Sequence, residues 1–146
     1  QGQVLLNMET LWQQAYPSEC VIVRPTGIYG TSVARMIKLA ETIKTYPKLH
    51  WSNRIHIDDL VAFLAHLLHV EHTEKSYICS NSQPLPLHEI IQWFQQQLGL
   101  PVLVLERNMP SGKKIYASRM QQMNFELQHS HCFDDYLALL AERESK

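Results

Sequence analysis

The run VIVRPTGIYG, Val21 to Gly30, decides the fold. Its opening, CVIVRP, is continuously apolar, with β-branched Val21, Ile22 and Val23 in succession. Such a run predicts a strand buried on both faces, as in a parallel sheet, because a strand with one wet face alternates polar and apolar residues. TGIYGT then supplies a glycine-containing loop. Upstream, Val4, Leu5, Met8, Leu11 and Trp12 recur at helical spacing and predict a helix over 3–15 that ends near Pro17. Downstream, a helix from Ser32 to Thr45 presents Val33, Met36, Ile37, Ala40 and Ile43 to a core, with Pro47 stopping it. KSYICSN reads as a second strand and VLVLE as a weaker one. LHEIIQWFQQQLG reads as an amphipathic helix closed by Gly99 at its C′ position. A short helix over Ser118–Met123 and a last one over Cys132–Glu142 complete the pattern. Strands alternating with helices predict an α/β architecture. So few strands make a poor independent sheet, and the surplus of helices points to a sheet edge with an appended helical region.

The 146 residues amount to one ordinary domain, and no internal repeat or low-complexity linker divides them. A hydrophobic share of 45% and a charged share of 18% fit a packed soluble protein. The net charge of −1, with no basic block, gives no reason to expect a nucleic-acid partner. No apolar run approaches the roughly 18 residues of a membrane span, so no membrane partner is expected. Cys20, Cys79 and Cys132 are far apart, odd in number and outside any CxxC pair. They suit a reduced cytoplasm better than a disulfide framework, and they make a structural zinc site improbable. The chain opens in what reads as mid-helix with no signal peptide, and the expectation is a piece of a longer protein.

SNRIHIDDL, Ser52 to Leu60, gathers an Arg, a His and two Asp. Apolar residues at 60, 63, 64, 67 and 68 follow at a 3.6-residue period and predict a helix running through Val70. Asp58 is placed as its N-cap, and Asp59 in the first turn favours the helix dipole. His56 is expected to hydrogen-bond a neighbouring loop from a partly buried position. On this reading His56 and Asp58 are scaffolding. His66, His69 and His72 fall opposite the Leu60/Phe63/Leu64/Leu67 stripe and are expected to face solvent, with no carboxylate or thiolate to orient them on a metal. Met120, Met123, Trp93 and Phe94 sit at core spacing. No serine lies in a Gly-x-Ser-x-Gly elbow, so a hydrolase finds no support.

VIVRPTGIYG, then NRIHIDDLVAFLAHLL, then YICSNSQPLPLHEIIQWFQQQLGLP, in this order, resemble the carboxy-terminal half of an extended or atypical short-chain dehydrogenase/reductase, the NAD-dependent epimerase/dehydratase group. GKKIYASRMQQMNFEL is similar to that family's closing segment, so the resemblance covers nearly the whole chain. It implies the carboxy-terminal part of a Rossmann-like doubly wound parallel sheet together with a small, mostly helical substrate-binding region. The chain is then a single unit, 1–146, whose amino-terminal dinucleotide-binding half is missing. VIVRP becomes a late core strand, with the loop after it at the sheet's ligand end. The resemblance implies that Pro25 and Thr26 face the cofactor, NAD or NADP, and that Gly27 faces a small-molecule substrate such as a nucleotide-sugar. Read without it, RPTGIYG is only a turn whose glycines allow positive φ.

Arg54 and Arg35 are the candidate anion ligands, because a guanidinium can hold a phosphate in bidentate fashion. Nucleotide-sugar members carry an Arg two residues before the Arg54 position, where Ser52 stands here. The family often has Pro-Gly-Arg soon after its YG, and this sequence offers Thr-Ser-Val-Ala-Arg up to Arg35.

Two departures from the family pattern bear on catalysis. The five glycines, at 2, 27, 30, 99 and 112, form no pyrophosphate-binding fingerprint, so this chain by itself is expected to bind NAD or NADP weakly or not at all. None of the six tyrosines has a Lys four residues later, so the YxxxK pair is missing and no catalytic residue is assigned. If Glu9 matches the Glu that usually follows that pair, Gln1 stands at the Tyr position and Leu5 at the Lys position. The leading reading is the substrate-binding part of an NAD(P)-dependent oxidoreductase or isomerase, not active as supplied. A non-catalytic NAD(P)-binding sensor and a plain interaction module are the alternatives. The uncovered strand edge this reading leaves also predicts self-association.

Overall fold

The protein is described by a computed structural model covering residues 2–145. Its elements run α1 (Gly2–Ala15), β1 (Ile22–Pro25), β2 (Gly27–Tyr29), α2 (Ala34–Thr42), β3 (Thr45–Tyr46), β4 (Trp51–Ser52), β5 (Arg54–His56) and α3 (Ile57–Leu67). Then follow β6 (Ser76–Cys79), β7 (Leu85–Pro86), α4 (Leu87–Gln97), β8 (Val104–Leu105), α5 (Ser118–Gln122) and α6 (Cys132–Glu144). The architecture is mixed α/β, as the alternation predicts. The strands form four two-stranded pairs: β1–β6, β2–β5 and β3–β8 are parallel, and β4–β7 is antiparallel. Each parallel pair needs a long crossover, and helices supply it.

Two hydrophobic cores flank the β2–β5 pair. The first joins Met36, Ile37 and Ala40 of α2 to Ile90, Ile91 and Phe94 of α4 and to Cys132, Tyr136 and Leu140 of α6. The second gathers Ile55 of β5, Leu60 and Phe63 of α3, Tyr77 and Cys79 of β6, and Met120 of α5. Strand alternation makes the division. Tyr29 of β2 enters the first core, whereas Ile55, on the neighbouring strand, enters the second. Met120 and Phe94 are buried as their spacing predicts, with Met123 and Trp93 packed beside them.

Several local expectations are corrected. VIVRP is only half-buried, with Arg24 and Pro25 exposed, because β1 has one strand neighbour, β6, among the described residues. GIY is a short strand, not a loop. Gly27 lies so close to the Asn53 carbonyl that an added Cβ would sit 3.0 Å from it, and that approach lets β2 pair with β5. The helix expected over 32–45 is shorter, and the chain turns into β3 before Pro47 is reached. In α3, Leu64 and Leu68 point outward, Leu68 at 84% exposure, and His66 takes the inner place, packed against Phe63 and Phe125. The apolar arc therefore faces two ways. Helix α1 has no buried residue at all and is held by polar ties: the Glu9–Arg24 pair and a bond from the Gln13 amide to the Lys75 carbonyl. No helix among the described residues is long and apolar enough to cross a membrane.

Gln95 ties the first core together. It is fully buried in α4, donates from Nε2 to the carbonyls of Ala40 (3.0 Å) and Ile43 (2.9 Å), and accepts from the Leu103 N–H at 2.7 Å. One side chain thus closes the carboxyl end of α2, whose last carbonyls have no helical partner, and fixes the chain that enters β8. Replacing Gln95 with Leu keeps the volume but strands two carbonyls and an N–H in the core, which should cost about 2–4 kcal/mol. Urea denaturation reads this directly; a loss under about 1 kcal/mol would mean that water or another donor replaces the amide.

Candidate functional site

The carboxyl ends of β1 and β6 point toward a two-lobed depression, with Gly27 on the ridge between its lobes. One lobe, about 290 Å3, is lined by Gly27, Tyr29, Arg35, Met36, Arg54 and Tyr136 among others. The other, about 330 Å3, is lined by Arg24, Pro25, Thr26, Asn53, Ile78 and Ile115, again with Gly27. The structure therefore brings the three expected substrate residues, Gly27, Arg35 and Arg54, into one lobe. The two expected cofactor residues, Pro25 and Thr26, fall in the other.

Each side chain is placed by local geometry. Arg54 stands opposite Gly27 in the β2–β5 register, so no side chain occupies the paired position on β2. Its Nε is buried and has no hydrogen-bond partner among the described residues. Arg35 lies in the first turn of α2, a helix with no acidic residue in that turn and no side-chain cap. The helix's free N–H groups add positive potential to the same lobe. Tyr136 forms the wall; burial pushes its phenol up to about 12 even though the Arg54 guanidinium pulls it down. Thr26 has its hydroxyl committed to the Cys79 carbonyl at 3.1 Å, so it offers shape to the second lobe more than a free donor.

Behind the first lobe lies a cluster that the sequence did not reveal. The Tyr29 hydroxyl donates to Asp135 Oδ2 at 2.7 Å, and His129 Nδ1 bonds Asp135 Oδ1 at 2.6 Å. The His129 ring stacks on the His56 ring with centroids 3.6 Å apart and planes 14° apart. Asp58 Oδ2 lies 3.8 Å from His129 Nε2 and 3.7 Å from His56 Nδ1. Asp59, fully buried, accepts the N–H groups of Gln128 (2.8 Å) and His129 (3.0 Å). Nothing in sequence spacing connects residue 29 to 135 or 59 to 128. The only signal was the polar pair Asp134–Asp135 opening an apolar helix.

Asp58 is not the N-cap of α3. The cap is His56, whose Nδ1 accepts the Asp58 N–H at 3.2 Å, while the Asp58 side chain is largely exposed. The chain enters the helix from a strand, and the extended His56 backbone aims its ring at the first-turn N–H. His56 is structural in a second way: it fills the space beside Gly30, whose φ of +111° and missing Cβ make room for the ring.

Ligand atoms of His56, His129 and Asp135 lie within 4.8 Å of one another, yet the arrangement suits a proton better than a metal. Stacked, nearly parallel rings direct their in-plane lone pairs side by side and not at a common point. Both Nδ1 atoms are already engaged. The other reactive groups are quiet. Burial pushes the Cys79 and Cys132 thiols up to about 11, away from thiolate chemistry. Burial, reinforced by Asp135, holds the Tyr29 phenol far above its ordinary range, the reverse of what an acid/base tyrosine needs. Leu5 is exposed on α1, Glu9 pairs with Arg24, and Gln1 lies outside the described residues.

The architecture that carries these two lobes is Rossmann-like α/β. A structure designated an NAD-dependent epimerase/dehydratase from Methylobacillus flagellatus matches 98% of the chain at 32% identity with a TM-score of 0.83. A dTDP-glucose 4,6-dehydratase from Bacillus anthracis, in complex with NAD, matches 94% at 14% identity and 0.68. A Bordetella bronchiseptica enzyme in complex with NAD and UDP matches 84% at 11% identity and 0.60. The chain spans 53%, 49% and 44% of these three structures, about half of each. No family model and no curated protein matches the sequence. The fold is that of the NAD-dependent epimerase/dehydratase family, as the resemblance implied.

His129 carries a pH signature. Its bond to Asp135 raises its pKa above the ordinary 6.5, with the Asp59 and Asp58 charges adding to the effect against partial burial. A raised folded-state pKa gives stability that is fully present below about 6.5 and is lost as pH rises through the folded value. The stability advantage of the wild type over His129→Gln should therefore shrink as pH rises from 6 to 8.5. Chemical denaturation at several pH values, paired with NMR titration of the imidazole, checks this; a midpoint at or below the ordinary value would refute it.

Proposed function

We propose that this chain is the substrate-binding part of an NAD(P)-dependent epimerase/dehydratase-like or reductase-like protein that acts on a nucleotide-sugar or related anionic metabolite. Arg54, which lines a lobe that also holds Arg35 and the start of α2 and whose buried Nε has no partner among the described residues, carries this reading. A buried guanidinium nitrogen with no acceptor is costly, and a phosphate oxygen supplies one. The match to about half of each related structure supports a longer parent, whose other half would bring the pyrophosphate turn and, for oxidoreduction or epimerisation, an acid/base. The dinucleotide would meet this chain at Pro25 and Thr26 and receive little affinity from it. A non-catalytic NAD(P)-binding sensor is the second reading, favoured by the two high-pKa phenols beside the lobe and the missing YxxxK pair.

UDP titrated into the chain should shift the NMR signals of Gly27, Arg35 and Tyr136, and Arg54→Ala should weaken binding about tenfold. Unchanged UDP affinity in Arg54→Ala, or shifts confined to other residues, would remove the anion site.

The uncovered faces support self-association of the isolated chain. β1 has a free edge among the described residues, and Val4, Leu5, Leu11 and Trp12 stand in water on α1. Unpaired backbone at an edge and a contiguous apolar face both recruit a second chain. Light scattering over a concentration series should show a mass above the monomer's 17.0 kDa. A strictly monomeric, cooperatively folded species at high concentration would count against the half-domain reading.

A further inference from the structure

Asn53 lines the second lobe, next to the Gly27 that both lobes share, and three of its polar groups are in use. Its backbone carbonyl accepts the Gly27 N–H at 2.9 Å. Its side-chain Nδ2 donates to the Lys113 carbonyl at 2.9 Å, and its Oδ1 accepts the Ile115 N–H at 2.8 Å. The amide thereby imitates a strand neighbour, satisfying one acceptor and one donor of a segment that belongs to no strand. The same segment is pinned at both ends. Ser111 exchanges backbone bonds with Leu49 and Trp51, and the Ala117 N–H donates to Ser82 Oγ at 2.9 Å. Between these pins the Lys114 ammonium lies 4.0 Å over the Trp51 ring, on the β4 side. Ile115 is thus held in the wall of the second lobe, which Pro25, Thr26 and Ile78 also line.

We propose that Asn53 is a positioning residue. It clamps residues 113–115 so that Ile115, with Ile78, forms the apolar wall against which the ring end of a nicotinamide cofactor lies. This rests on the cofactor-facing role of Pro25 and Thr26 proposed above. Two features make the clamp specific to the amide. A carboxylate at 53 keeps the acceptor for Ile115 but loses the donor for Lys113, and an alanine loses both. Neither change touches the backbone bond to Gly27, so the first lobe keeps its floor.

The test uses nicotinamide mononucleotide as probe for the second lobe and UDP as probe for the first, each followed by NMR on the wild type, Asn53→Ala and Asn53→Asp. Because this chain gives the cofactor little affinity, the mononucleotide is titrated to millimolar concentration, and the wild type should show weak, fast-exchange shifts at Thr26, Gly27 and Ile115. Asn53→Ala should weaken mononucleotide binding about tenfold and speed exchange of the Ile115 amide by a similar factor, with UDP binding unchanged. Asn53→Asp should retain part of the Ile115 protection, which keeps the proposal testable if the alanine variant folds poorly. Mononucleotide binding that is equal in wild type and Asn53→Ala overturns the clamp while leaving the cofactor reading intact. No mononucleotide shifts at these residues in the wild type overturn the cofactor reading and the ligand wall with it. Parallel loss of UDP binding in both variants makes Asn53 merely structural and also overturns the proposal.

Discussion

Asp59 is a carboxylate buried in the first turn of a helix, and its two oxygens accept the N–H groups of Gln128 and His129. A charge in that position is tolerable only with such bonds and a favourable helix dipole. The bonds capture the segment that runs from α5, on the second core, to α6, on the first. With the segment held there, His129 meets His56 and Asp135, Asp135 meets Tyr29, and α6 is set against β2. Tyr136 then stands in the wall of the first lobe. The shape of the candidate site therefore follows from a side chain that does not line it.

The same economy of polar groups governs the rest of the molecule. Asp59, Gln95 and Asn53 each use a side chain to complete backbone hydrogen bonding where neither helix nor strand does so. Short strand pairs leave many such places, because a pair two or three residues long closes little of its own backbone. Arg54 Nε is a contrast: like His66 Nε2 and His88 Nδ1, it is buried with no partner among the described residues. Of these three residues, Arg54 is the one that lines the first lobe, and an unsatisfied buried polar atom there calls for an explanation.

Much of the architecture was legible in order and type. The helices containing Met36, Phe63, Phe94 and Tyr136, and the strands through Val23 and Tyr77, lie where periodicity put them. Boundaries moved where pairing overrode propensity, as when Gly27–Tyr29 became a strand against β5. The capping role moved from Asp58 to His56 for a reason no spacing rule contains. A strand running directly into a helix leaves an extended residue to aim its ring at the first free N–H. His66 turned inward because Phe125, remote in sequence, offers it an aromatic surface.

The sequence by itself determined the α/β pattern and the family whose fold this is, and it singled out Pro25, Thr26, Gly27, Arg35 and Arg54, which sit in or next to local motifs and fall among the residues lining the two lobes. Periodicity and short motifs report on neighbours in the chain, and those residues are placed by their own strand or helix. Only the tertiary structure decided that Arg54 lacks a partner, that Tyr29, His56, His129 and Asp135 form one network, and that Asn53 holds the wall at Ile115. Those facts join positions some 60 to 100 residues apart. A hydrogen bond at that separation depends on how two cores pack about a shared strand pair, and no local pattern encodes that.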